Sequence, residues 1–296
     1  MTIGVGRTNA TPAWALAVAA MLSVQLGSAL SVDLISATGA AGTAWLRLTI
    51  GAVIFIVIAR PPLRSIRRHD LPGLLGLGVT TGVQTIAFLA AIERIPLGTC
   101  VAIEFLGPLM VAAVRARHAR ALRWPAVALV GVVLLTEPWH GGVDLAGIGF
   151  ALLAAAGWAV YIVLTQHLGD RFDGLSGLSL TVPVAAITAA TVGIPQAAGH
   201  LTAGNLVAAA GLALLLPVLP YAFELYALRR LTAAAFGTLM AVEPAIGLLL
   251  GLLVLHQKPS ILQLVGILLV VSAGTAAQHG GRRHQPLERL DPHIVA

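Results

Sequence analysis

Apolar residues come in long runs along this chain, separated by short connectors that hold most of its charge. A helix that crosses hydrocarbon needs roughly 20 such residues, at 1.5 Å of rise each. Runs of this kind occupy 13–34, 40–59, 71–92, 97–114, 124–138, 145–166, 176–198, 204–227, 234–255 and 261–278. The fifth, from Trp124 to Pro138, is short for a full crossing. The connectors are too brief to hold a soluble domain, and only the segment from Gly280 reads as a polar tail. The pattern predicts an all-α membrane protein of ten transmembrane helices in two inverted five-helix repeats. The first repeat takes residues 10–140 and the second 145–279, with a cytoplasmic tail at 280–296.

Lysine and arginine mark the cytoplasmic side of a bilayer. With the N-terminus inside and every run crossing, all but three of the 18 basic residues fall in inside segments. The three are Arg94 and Lys258 in outside connectors and Arg47 within the second run. Removing the short fifth run would place the later basic loops outside and spoil this partition, so the pattern predicts ten spans with both termini cytoplasmic. Five spans per half force the second half to enter from the opposite side. A shift of 136 residues lays Arg94 on Arg230 and Pro108 on Pro244, and a shift of 135 lays Gly131 on Gly266. Inverted repeats of this kind hold a substrate near the midplane between them.

Composition narrows the classes. With 58% apolar and 10% charged residues, the chain lacks the polar surface of a soluble domain of 296 residues. The formal charge of +6 does not point to nucleic acid, because the basic residues sit in connectors and not along one soluble face. The single cysteine, Cys100, lies inside an apolar run and reads as a small packing residue. Gly78–Gly82 and Gly247–Gly251 have the spacing of a small-residue helix contact. No cofactor and no metal is expected.

An ionisable group inside a bilayer is costly and calls for a partner or a function. Asp33, Arg47, Glu104, Glu224 and Glu243 are such groups. Arg47 and Glu104 each lie about seven residues into their spans from the outer side, about 10 Å deep, so they can meet across the bundle. A structural ion pair is one reading of them, and a substrate site is the other. Asp33, near the outer end of its span, reads as a solvated terminus or a second partner for Arg47. Pro108 deprives the Glu104 carbonyl of its helical N–H donor, and Pro244 does the same to the Met240 carbonyl beside Glu243. Each half thus has a carboxylate next to a proline-disturbed turn, which makes Pro108 and Pro244 candidate hinges. Such a carboxylate can bind a substrate ammonium or carry a coupling proton. Gln25, Gln84, Trp158, Tyr161, Tyr221 and Tyr226 are polar or aromatic candidates for the wall of a cavity, whereas Trp14, Trp124 and Trp139 read as interface anchors.

Several stretches carry a family resemblance: Ile95-Pro96-Leu97-Gly98 leading into Ala102 to Pro108, Trp158 to Ile162, and Leu219-Pro220-Tyr221 with Glu224. The most specific is Phe236-Gly237-Thr238-Leu239-Met240 running into Glu243-Pro244, and Leu46-Arg47-Leu48 also fits. On these residues the chain resembles the EamA-type branch of the drug/metabolite transporter superfamily, and within it the bacterial inner-membrane threonine/homoserine exporters. It departs in having Thr232-Ala233 where a proline is expected after Arg230. The resemblance implies a central cavity between inverted repeats, in a monomer or weak homodimer, with export of small amino acids driven by proton entry. Glu104, Glu243 and Arg47 are then the principal ligands, supported by Glu224, Tyr161, Trp158, Tyr221, Gln84 and Gln25.

Three rival functions are weaker on the residues. Only 5% aromatic content leaves little stacking surface for large planar drug cations. An intramembrane enzyme would need a nucleophile–base set or a metal cluster, and the only close acids, Asp170 and Asp173 near His167, fall in a connector. No filter sequence suggests a channel.

Overall fold

The computed structural model describes residues 12–60, 66–115, 119–140, 144–168, 175–228, 230 and 233–280. Arg7, Asp170, Asp173, the residues after Gly280 and several connector arginines lie outside this set, as do the side chains of His167 and Tyr226. Every regular element among the described residues is helical. In order they are α1 (Ala13–Thr38), α2 (Ala40–Ala59), α3 (Leu71–Ile92), α4 (Leu97–Glu104), α5 (Leu106–Arg115), α6 (Arg123–Thr136) and α7 (Leu145–Leu168). There follow α8 (Leu175–Ala197), α9 (Ala203–Ala213), α10 (Leu219–Leu228), α11 (Ala233–Met240), α12 (Glu243–Val254) and α13 (Ile261–Gly280). Gly280, expected to open the tail, closes the last helix.

Among the described residues, seven helical rods are long and apolar enough to cross a membrane, and three shorter apolar ones match the fifth, ninth and tenth runs. The outward surfaces carry large apolar side chains such as Val57, Ile187, Val207 and Leu268. In water that would be a liability, and against lipid it is the expected surface.

Three rods are interrupted. Helical bonding breaks at Phe105, between α4 and α5, and at Ala241–Val242, between α11 and α12. Pro108 and Pro244 stand just past these breaks, where a missing N–H removes one ladder bond. The third interruption, at Leu214–Val218 between α9 and α10, falls inside a run that reads as continuous in sequence. There Leu216 is extended (φ −159°, ψ 111°) ahead of Pro217, and the Leu215 carbonyl takes a hydrogen bond from Ser23 Oγ at 2.7 Å. A hydroxyl on a neighbouring helix is one way a bilayer-embedded break stays satisfied.

The helices pack in cross-half pairs: α2 on α8, α3 on α7, α6 on α13, α4 on α12, and α1 on α10. Small residues bring several of these pairs together. A Cβ at Gly131 would stand 2.6 Å from the Gly266 carbonyl oxygen, and one at Gly266 would stand 2.6 Å from that of Gly131. Such a crossing excludes any side chain at either position. Gly82 approaches the Ala185 carbonyl of α8 in the same manner, and Gly247 lies against Val101 of α4. Gly39 turns α1 into α2 with φ +75° and leaves room for the Gln196 side chain, which caps α2. That end of the bundle, the Gly39 end, also carries the α3–α4, α9 and α12–α13 turns.

Candidate functional site

A cavity of about 420 Å³ lies among the middle turns of the rods and extends toward the end opposite Gly39. Gln25 and Ser28 of α1, Arg47 of α2, and Thr81, Gln84, Thr85 and Phe88 of α3 form one side. The other side is built by Trp158 and Tyr161 of α7, the Pro217–Glu224 region with Tyr221, and Phe236 and Met240 of α11. Glu104, Phe105 and Pro108 enter at one helix break and Glu243 at another. The breaks matter because an unbroken apolar helix would present no free backbone and little room here.

All nine ligand candidates from the sequence therefore face one space. Of the two hinge candidates, Pro108 lines it and Pro244 is fully buried behind Glu243. Asp33 is exposed and stands apart from the cavity. Ser28, Thr81, Thr85 and Phe236 are walls that the sequence reading passed over, since isolated hydroxyls and aromatics are common in membrane helices.

Each of two acids is held by one glutamine. Gln84 Nε2 donates to Glu104 Oε1 at 3.1 Å, and Gln25 Nε2 donates to Glu243 Oε1 at 3.1 Å. The expected meeting of Arg47 with Glu104 does not occur, nor does Arg47 meet Asp33. Arg47 Nη1 instead donates to Ser31 Oγ at 2.9 Å, and the Ser31 hydroxyl donates to the Gly27 carbonyl at 2.6 Å. Equal depth placed Arg47 and Glu104 together in sequence, but depth says nothing of angle around the bundle. Arg47 is 3% exposed, and its Nε has no hydrogen-bond partner. Gln25 Oε1 and Glu243 Oε2 are likewise sealed and unpartnered. A buried polar atom left this way is expensive, so three in one site mark a place awaiting a ligand or a proton.

Aromatic contacts stiffen the wall. Phe55 and Tyr221 meet edge-on with centroids 6.0 Å apart, and Phe105 meets Trp158 at 6.4 Å. Tyr161 and Tyr221 both line this wall. What results is a small space, open toward one end, with a carboxyl-rich side, an aromatic floor and, among the described residues, the Arg47 guanidinium.

A lipid-facing helical bundle around such a charged cavity has the architecture of a multi-pass membrane carrier for small molecules. Comparison with known proteins gives the family. A sequence profile of the EamA-like transporter family matches residues 145–275. The chain is 33% identical over 293 residues to the threonine/homoserine exporter RhtA of Salmonella typhimurium (strain LT2), covering 97% of this chain and 99% of that protein. The protein of the same name in Escherichia coli (strain K12) is 32% identical over the same share of each chain. The chain belongs to the EamA-like transporter family, and these curated relatives are exporters. A solved crystal structure at 18% identity superposes with a TM-score of 0.58 over 91% of this chain and 99% of that one, which extends the likeness to the fold.

Proposed function

We propose that this chain is an inner-membrane exporter of small amino acids of the threonine/homoserine type, working by proton-coupled alternating access. The observation that carries the reading is the cavity's separation of charge: Arg47 without a carboxylate partner, and Glu104 and Glu243 each without a cationic one. A zwitterionic amino acid satisfies both ends at once, its carboxylate on Arg47 and its ammonium on a glutamate. A volume of about 420 Å³ falls at the lower end of ligand pockets, which suits a small solute. The printed activity of the relatives at 32% and 33% identity points the same way.

The finer architecture in this proposal is ten spans in two inverted repeats, residues 10–140 and 145–279, with both ends of the chain in the cytoplasm. Helix pairing supports it. Exchanging each span of the first half with its counterpart in the second maps α2·α8 and α6·α13 onto themselves and α3·α7 onto α1·α10. A pseudo-two-fold axis does this, and the reciprocal approach of Gly131 and Gly266 fits a position on it. On this topology the Gly39 end faces outward and the cavity reaches toward the cytoplasm. We assign no cofactor or nucleic-acid partner, and the unit of transport is a monomer or weak homodimer.

Counterflow in proteoliposomes with radiolabelled amino acids, with and without a pH gradient, tests the reading. Threonine and homoserine exchange, accelerated by the gradient, is the expected result. Exchange of no amino acid would reject it in favour of another small metabolite or a drug.

A further inference from the structure

The two carboxyl–glutamine pairs look alike in sequence and differ in the fold. Glu104 and Gln84 both belong to the first half, on adjoining rods, and their contact is partly open to the cavity. Glu243 and Gln25 come from opposite halves, where α12 packs against α1, and their contact is buried. Gln25 Oε1 and Glu243 Oε2 are closed to water. An ammonium group is at least as large as water and cannot reach them. A proton can.

Charge points in the same direction. Among the described residues, Glu104, Glu224 and Glu243 line the cavity against Arg47, so fully ionised acids leave this set with an excess of negative charge. A zwitterionic substrate brings no net charge to offset this. Carboxyl groups sharing a low-dielectric space do not all ionise together, so protons are part of the resting site. On Glu243, one proton would turn an acceptor in a pair that already has two unsatisfied acceptors into a donor.

On the export reading, we propose that the pairs divide the cycle, with Glu104–Gln84 forming the ammonium subsite and Glu243–Gln25 holding the exchanged proton between the halves. A neutral Glu243 stays in the dry α1–α12 contact, whereas an ionised one draws water into it and loosens one half from the other. The groups facing Glu243 are Gln25 from α1, Glu104 from α4 and Glu224 from α10, with Arg47 across the cavity and no ionisable side chain from α13 among those described. Ionised Glu243 adds negative charge near the ammonium subsite, so gaining its proton weakens substrate binding. Proton and substrate thereby exclude one another, as antiport requires. Gln25 acts here as a positioning residue.

Equilibrium binding of radiolabelled threonine to the purified full-length protein, measured from pH 5 to 9, tests the division. Wild-type affinity should fall about tenfold toward acid, a usual size for coupling between two sites. Glu243→Gln should remove most of the slope and rest near the wild-type acid value, the remainder coming from Glu104, and Glu243→Asp should restore it. Gln25→Leu should displace the midpoint of the profile. Glu104→Gln should weaken binding at least about tenfold at every pH, the scale of losing one partner of a charged hydrogen bond. A wild-type slope retained in Glu243→Gln, or a slope lost in Glu104→Gln with affinity intact, would overturn the division and leave the export reading standing. A wild type that binds no amino acid at any pH would remove both.

Discussion

Polar groups at the Gly39 end and polar groups in the cavity live in the same apolar bundle and are treated differently. At the Gly39 end they are joined in cross-half pairs. Gln196 Oε1 accepts from the Ala41 and Gly42 N–H groups at 2.7 and 3.0 Å, capping α2. Gln257 Oε1 accepts from Leu97 N–H at 3.0 Å, Ser260 Oγ donates to Glu137 at 2.6 Å, and Gln263 Nε2 donates to the Leu135 carbonyl at 3.1 Å. Each of these contacts ties a residue of the first half to one of the second. In the cavity, by contrast, Arg47 Nε, Gln25 Oε1 and Glu243 Oε2 are buried without partners. Since unmade buried hydrogen bonds cost more than made ones return, the first set holds the halves together and the second leaves the site in need of a proton or of a rearrangement. The arrangement describes a carrier latched at one end with its site reachable from the other.

The sharpest way to break this contrast is to remove the guanidinium. Arg47→Met should lower threonine affinity by about a hundredfold, because truncating one member of a buried charge pair costs about 2–5 kcal/mol. Arg47→Lys should recover only part, lacking the two-pronged geometry that suits a carboxylate. The same binding assay reads both, and a methionine variant with unchanged affinity would place the substrate carboxylate elsewhere.

A smaller effect is expected from unlatching the Gly39 end. Gln196→Leu leaves two helix-terminal N–H groups without their acceptor, and a typical hydrogen bond contributes about 1 kcal/mol net. The population open at that end should rise about fivefold on that scale. Spin labels on Ser36→Cys and Ala198→Cys, in a Cys100→Ala background, would show it as growth of a longer-distance component. An unchanged distance distribution would mean that the cap holds α2 in place without latching the halves.

Much of this fold is legible in the sequence because a bilayer imposes length: among the described residues, seven of the apolar runs are helices of membrane-crossing length and the other three are shorter apolar helices. Depth is legible for the same reason, and it brought out Arg47, Glu104 and Glu243 as unusual. Angle around the helix axis is not legible. In water an apolar stripe reveals which face turns inward, but both lipid and protein neighbours are apolar here, so helices such as α1 and α7 show no single apolar face. That is why Arg47 and Glu104 were paired at equal depth and stand apart in the fold. The break at Leu214–Val218 was hidden too, since Pro217 lies in a run hydrophobic enough to read as continuous and its support comes from distant Ser23. Gln196 and Gln257 gave no signal because a glutamine near a span end is ordinary at the interface.

The smallest expected effect is the one that separates the two regions by pH. Asp144, ahead of α7, accepts the Gly147 N–H on Oδ1 at 2.8 Å, and Arg94 Nη1 reaches its Oδ2 at 3.3 Å. The backbone hydrogen bond from Gly147 is the main reason its carboxyl is held below the usual carboxylate range, with Arg94 adding to it. A depressed acid contributes fully above its unfolded value, near about 4, and loses its contribution only as pH falls through the lower folded one. Asp144 is therefore ionised throughout pH 5 to 9 and cannot supply a slope there. Asp144→Asn keeps an oxygen for Gly147 and removes the charge. It should change threonine affinity less than about twofold, the scale of an exposed ion pair, and leave the wild-type pH slope in place. If the slope vanished in this variant, the pH response would originate at the latched end and not in the cavity.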